Sequence, residues 1–188
     1  MSSLRKKVFV VVMTLAALVL SACETSYTEK NLTNEPPPIL KSTSRIYVAI
    51  PFDASFKDTV AQDSGKLTAQ AFQVAFLRYS RSVYTSKFPE SVAEALESAR
   101  RAQMEYVLYP TILRWEDRAT EYTGIRDRLA MKVDLIDLQS GTVVFSREVE
   151  ATGKWMSDGG ETPRELLTGP AEQYANSLFR RIDRPSAL

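Results

Sequence analysis

The sequence predicts an α/β fold: a single domain of element order β-α-β-α-β-β-β-α, a mixed sheet with helices packed on it. Three observations carry this reading. Leu129, Met131, Val133 and Leu135 alternate with Ala130, Lys132, Asp134 and Ile136, and a Gln139-Ser140-Gly141 turn leads into a second strand pattern. Upstream, short β-rich runs are separated by helical segments, and a helix between strands implies parallel pairing. At the C-terminal end Ala171, Tyr174, Ala175, Leu178, Phe179 and Ile182 form a 3–4 stripe that needs a surface to cover it.

The elements follow in order along 188 residues. Arg5, Lys6 and Lys7 precede 13 uncharged residues from Val8 to Leu20. As a helix that run is roughly 20 Å long, short of a hydrocarbon core of about 30 Å, so it reads as a signal peptide and not as a span. Leu20-Ser21-Ala22-Cys23 lies directly behind it, holds the single cysteine, and resembles the lipobox of bacterial lipoproteins. The resemblance implies cleavage before Cys23 and a diacylglyceryl group on its sulfur. Two or more acyl chains hold a protein stably on a bilayer. An aspartate after the cysteine tends to retain Gram-negative lipoproteins on the inner membrane; Glu24-Thr25 stands here. By resemblance that favours the periplasmic leaflet of the outer membrane.

Residues 24–44 read as a flexible tether, polar and interrupted by Pro36-Pro37-Pro38. A flexible chain of that length averages about 25 Å end to end, against an extended limit of about 70 Å. The expected division is 1–22 signal peptide, 23–44 lipidated cysteine and tether, and 45–184 envelope domain.

Within the domain, Ile46 to Ile50 is a short buried strand stopped by Pro51. Lys66 to Tyr79 is a helix with Leu67, Ala71, Val74, Ala75 and Arg78 on one side and Phe72, Phe76 and Tyr79 alongside. Ser82 to Ser86 is a brief strand. Pro89 or Glu90 to Gln103 is helical, with Val92, Leu96, Ala99 and Ala102 or Gln103 inward. Glu90, Glu94, Glu97, Arg100 and Arg101 face outward, Glu97 and Arg101 in the favourable i,i+4 order. Tyr106 to Trp115 is a dense apolar strand. Residues 129–137 and 142–152 form a hairpin with Val143, Phe145, Val149 and Ala151 on one face. Thr162-Pro163-Arg164-Glu165 has capping-box spacing, and Gly169-Pro170 should kink or restart the last helix. Arg180, Arg181 and Arg184 end that helix on the side its dipole favours.

Composition narrows the chemistry. Removal of residues 1–22 takes three positive charges, leaving 21 Lys and Arg against 23 Asp and Glu, so nothing points to nucleic acid. The count of zero histidines excludes His-dependent triads, His general bases and His metal sites together. Ser64-Gly65-Lys66-Leu67-Thr68 lacks the Gly and Ser/Thr positions of a phosphate loop and reads as a helix start capped by Asp63 or Ser64. Carboxylates are what remains for acid–base work. Asp134 and Asp137, three apart on a strand, face opposite sides, and Asp137 suits a cap for the following turn. Glu116, Asp117 and Asp158 fall in loops. Arg114, Arg118, Arg126 and Arg128 suit phosphate or carboxylate, but Glu116, Asp117, Glu121 and Asp127 are interleaved with them as local partners.

Three segments carry a wider resemblance: Ile46-Tyr47-Val48-Ala49-Ile50-Pro51-Phe52, Glu105-Tyr106-Val107-Leu108, and Val133-Asp134-Leu135-Ile136-Asp137-Leu138-Gln139-Ser140-Gly141-Thr142-Val143-Val144. They are similar to the small envelope domains of the TolB N-terminal part, of the curli-secretion lipoprotein CsgG, and of the penicillin-binding-protein activator LpoB. The whole chain resembles uncharacterised proteobacterial lipoproteins of this length. These motifs are structural and bring no catalytic residue with them.

The resulting expectation is a non-enzymatic, periplasm-facing lipoprotein, a protein-binding or assembly factor of the envelope, with no cofactor and no metal. It meets the membrane through the lipid on Cys23 and associates with another envelope protein or with itself. The alternative is a carboxylate-based enzyme or a glycan or lipid binder, which a clustered carboxylate pair in a cleft would favour. In an up-down-up meander the third and fifth strands end at one edge of the sheet. That puts Trp115 and Trp155 on either side of Arg128, with Tyr122 in the loop over them. Aromatics and arginines dominate interface hot spots, so this end is the candidate partner-binding face; the competing reading is that both tryptophans seal the core.

Overall fold

A computed structural model describes residues 25–56, 59–117, 126–154 and 162–179. In chain order the elements are β1 (Ser26–Asn31), β2 (Arg45–Ile50), β3 (Ser55–Phe56), β4 (Thr59–Val60), α1 (Ser64–Leu77), β5 (Ser82–Pro89), α2 (Val92–Arg101), β6 (Tyr106–Glu116), β7 (Arg128–Asp137), β8 (Thr142–Thr152) and α3 (Thr168–Leu178). A 3₁₀ turn, Glu165–Leu167, runs into α3. Six strands make one mixed sheet in the order β1-β8-β7-β6-β2-β5, and β3 and β4 form a separate small hairpin.

The predicted α/β order stands, and its physical logic is visible. β2 pairs in parallel with β5 on one side and β6 on the other. The two crossovers therefore run in opposite directions across the sheet, and right-handed connections put their helices on opposite faces. Phe72 and Phe76 of α1 join Tyr174 and Leu178 of α3 over Leu129, Met131, Leu135 and Phe145. On the other face Ala95 and Ala99 of α2 cover Tyr47, Ala49, Val107, Tyr109 and Ile136. The β7–β8 hairpin has the expected register, with fully buried Leu135 opposite fully buried Phe145. Its turn is closed by Asp137, whose Oδ1 accepts from Ser140 N at 2.8 Å, and Gly141 takes φ +70°. α3 restarts from the 3₁₀ turn at Gly169-Pro170, with proline still in the first turn. Arg180, Arg181, Ile182 and Arg184 lie outside the described residues.

Several expectations need correction. The stretch 24–44 is not all tether. Ser26–Asn31 is an edge strand antiparallel to β8, and Leu40 is buried with its N–H on Leu178 O at 2.8 Å. Tyr27 is the one large apolar side chain of β1, so no apolar period announces the strand. It is held by ladder hydrogen bonds and by Arg147, which reaches Glu29 Oε2 at 2.8 Å and Asn31 Oδ1 at 2.9 Å. β5 extends to Pro89, which opposes Ile50 across a register shift; proline is tolerated at the end of an edge strand. α1 buries Gly65, Thr68, Ala69, Phe72, Ala75 and Phe76, while Val74 is exposed, because the phenylalanine line centres the face. α2 buries Ala95 and Ala99 and exposes Val92, where small residues let the helix sit close to the sheet. Val143 turns away from Phe145 and opposes Ile136, because the register slips by one residue between Leu135 and Ile136.

Candidate functional site

The candidate face lies where β6 ends and β7 begins. Trp115 opposes Leu129 and Glu116 opposes Arg128. Trp115 is half-buried, its ring packed against the main core; Arg128 is exposed. A register shift between Ile112 and Arg114 leaves Leu113 half in solvent. Next to it the β3–β4 hairpin stands off the sheet, and the two enclose a cleft of about 690 Å³. Ile112, Leu113, Arg114 and Trp115 line it on one side, Ser55 and Thr59 on the other. Arg114 Nε is 3.7 Å from Glu116 Oε1, a partly exposed pair of small energetic weight. The structure thus brings Trp115 and Arg128 to adjacent strands at one end of the sheet. Tyr122, Trp155, Arg118, Glu121, Asp158 and Cys23 lie outside the described residues.

The start of α1 is where the phosphate-loop-like residues fall. Asp63 sits at φ 63° and its side chain does not cap the helix. The cap comes from Asp53, ten residues back. Its carboxylate accepts from Asp63 N at 3.1 Å and Gly65 N at 2.8 Å, and Ser64 Oγ in turn accepts from Ala54 N at 2.9 Å. A carboxylate already occupies the positive end of the helix, so this terminus is filled from within the chain. Gly65 is required by proximity: a Cβ there would stand 2.1 Å from Pro51 O.

Glu90, expected on the outer face of α2, instead precedes the helix and is half-buried. Its carboxylate accepts from Tyr47 Oη at 2.9 Å and Ser98 Oγ at 2.7 Å, while Tyr109 Oη donates to Glu90 O at 2.9 Å. Burial, and then the Glu90 carboxylate, push the Tyr47 phenol up to about 12. Burial likewise raises Tyr109, and raises Tyr174 well above its ordinary value. The hydrogen bonds of Glu90 latch the start of α2 to β2 and β6. Asp134 accepts from Ser146 Oγ and pairs with Lys132 at 2.9 Å. Ser91 and Glu94 complete a capping box at the start of α2. Among the described residues no three His, Cys, Asp or Glu side chains group to hold a metal ion, and no helix is long and apolar enough to cross a membrane.

This architecture, helices on both faces of a mixed sheet with an antiparallel meander, is one the chain shares with known proteins. The model of the family described as Domain of unknown function (DUF4823) matches residues 39–178, and the chain belongs to that family. No curated protein matches it. Among solved structures it is similar to the PelC dodecamer from Paraburkholderia phytofirmans, with TM-score 0.61 and 17% identity over 84% of this chain and 100% of that one. It is also similar to a DUF330 protein from Xanthomonas campestris, with TM-score 0.50 and 13% identity over 76% and 89%. The C-terminal domain of LpoB from Salmonella enterica, one of the resemblances expected from sequence, gives TM-score 0.35 and 14% identity over 59% and 84%. At such identities the likeness to PelC and to the Xanthomonas protein is one of fold.

Proposed function

We propose that the chain is a lipid-anchored protein of the bacterial envelope that works by contact and assembly, without catalysis. Cys23 carries the lipid, the domain faces the periplasm from the outer membrane, and copies of the chain associate with one another. The end of the sheet bearing Trp115 and Arg128, with Tyr122 and Trp155 from the adjoining segments, is the surface by which the domain meets other components of the envelope. The observation that carries the assembly reading is a fold shared with the full length of PelC, a protein crystallised as a dodecamer. The lipobox Leu20-Ser21-Ala22-Cys23 supports the anchor. A non-catalytic role is supported by the employment of Asp53, Glu90, Asp134 and Asp137, each engaged in hydrogen bonds that build the fold.

Two measurements test this. Cells expressing the full chain and Cys23→Ala are labelled with radioactive palmitate and fractionated. Label and outer-membrane retention in the parent, and loss of both in the variant, are expected; a variant that is processed and stays in the outer membrane overturns the anchor. Sedimentation-velocity ultracentrifugation of the detergent-extracted chain should show multimers. A strictly monomeric species at micromolar concentration overturns self-association.

A further inference from the structure

The pairing of β1 changes where the anchor sits. Ser26 opposes Thr152, Thr152 opposes Arg128, and Arg128 opposes Glu116. These four residues form one row across the end of the sheet. Neighbouring strands lie about 4.8 Å apart, so Ser26 and Glu116 are roughly 14 Å apart along the row. Cys23 precedes Ser26 by three residues. At most about 10 Å of chain therefore separates a lipid on Cys23 from this row, not the long leash that a tether through residue 44 implies. The opposite end of the sheet, with the β7–β8 turn at Ser140, lies a full strand away; β6, with 11 residues, spans about 35 Å.

The end nearest the anchor also has the composition of an interfacial surface. Trp115 is half-buried, Leu113 is half exposed and Arg128 is exposed, with Glu116 opposite Arg128 and exposed Asp117 beside it. Tryptophan favours the headgroup region of a bilayer, and arginine suits its phosphates.

Resting on the lipoprotein reading above, we propose that the Trp115–Arg128 end is seated on the bilayer that holds the anchor. Its partner is the phospholipid headgroup layer, and the strands rise from the membrane with the Ser140 turn outermost. A three-residue link holds this end against the surface, where Trp115 and Leu113 enter the interface and Arg128 meets phosphate. Protein contacts then fall to the remaining faces.

Because the single cysteine is blocked by its thioether lipid, new cysteines can be labelled alone. The lipidated full chain carrying Asp117→Cys or Ser140→Cys is spin-labelled and reconstituted in phosphatidylethanolamine/phosphatidylglycerol vesicles. Asp117 is exposed just beyond β6, and Ser140 marks the far turn. Collision rates with oxygen and with a water-soluble nickel chelate give each label's depth. The label at 117 should show an oxygen-to-nickel ratio several-fold above that at 140, and adding Arg128→Glu should reduce it at 117 by about twofold. Equal ratios at both sites with the chain retained on vesicles overturn the seating while leaving the anchor intact. Spin–spin coupling between labels at 117 on different copies, persisting in detergent, makes this end a protein interface and also overturns it. Failure of the chain to be lipidated or retained removes both this inference and the anchor reading.

Discussion

Gly65→Ala sets local helix preference against tertiary contact, and the structure decides the sign. On propensity alone an alanine inside a helix gains about 1 kcal/mol over glycine. At Gly65 the new methyl carbon would lie 2.1 Å from Pro51 O, a backbone atom that cannot swing aside. Restoring an ordinary contact moves the start of α1 away from the 51–54 segment by more than an ångström. That movement breaks the hydrogen bond from Gly65 N to Asp53 at 2.8 Å and the one from Ala54 N to Ser64 Oγ at 2.9 Å. A bond to a charged carboxylate is worth about 2 kcal/mol and a neutral one about 1 kcal/mol. Against the propensity gain the net expected loss is about 2 kcal/mol. In urea unfolding of the detergent-solubilised chain, followed by circular dichroism, this moves the midpoint down by about 1 M. Gly169→Ala is the control: its methyl meets the tip of the Tyr27 ring at 2.7 Å, a side chain on an edge strand that can turn away. Its loss should stay within about 0.5 kcal/mol. A Gly65→Ala chain as stable as the parent, or more so, refutes the argument that close approach keeps glycine there.

Leu135→Ala, at a fully buried position facing Phe145, should cost about 2–5 kcal/mol by the same unfolding measurement. Glu29→Gln removes the carboxylate from Arg147, a guanidinium only 9% exposed that also lies over the Phe145 and Tyr174 rings. Amide exchange across residues 26–31 should quicken at least tenfold while exchange in β7 holds, a selective release of the edge strand. For Tyr47 the folded chain raises the phenol from 10.0 to about 12, so its contribution to stability is complete below pH 10 and is lost as pH rises through about 12. Tyr47→Phe should flatten the decline in stability over that window; an unchanged decline would assign it to other groups.

The parts of this fold that could be read from sequence are those where side-chain period and burial coincide. The β7–β8 hairpin alternates in period two because one of its faces meets α1 and α3, and its turn carries both an aspartate cap and a glycine at positive φ. β1 could not be read in this way. Ser26–Asn31 has a single large apolar side chain, Tyr27, and no apolar period, and it is tied down by Arg147, more than a hundred residues away. The helix faces shifted for a related reason: Thr68 and Gly65 are buried beside the phenylalanines while Val74 is not, a distinction hydrophobicity alone does not make. Asp53 and Glu90 act across the chain, on the start of α1 and on Tyr47, so no local spacing marks them. At the candidate face, meander topology was enough to bring Trp115 beside the start of β7 and Arg128. What topology alone could not supply was β1, which places Ser26 opposite Thr152 and so at the Trp115–Arg128 end of the sheet.

The proposed lipid on Cys23 is tested most directly by intact-mass spectrometry of the chain purified from envelope membranes. The predicted species begins at Cys23, lacks residues 1–22, and carries the added mass of a diacylglyceryl group with or without a further acyl chain. A species that retains residues 1–22, or one that begins at Cys23 or beyond without acyl mass, would contradict the anchor and with it the placement of the Trp115–Arg128 end on the membrane.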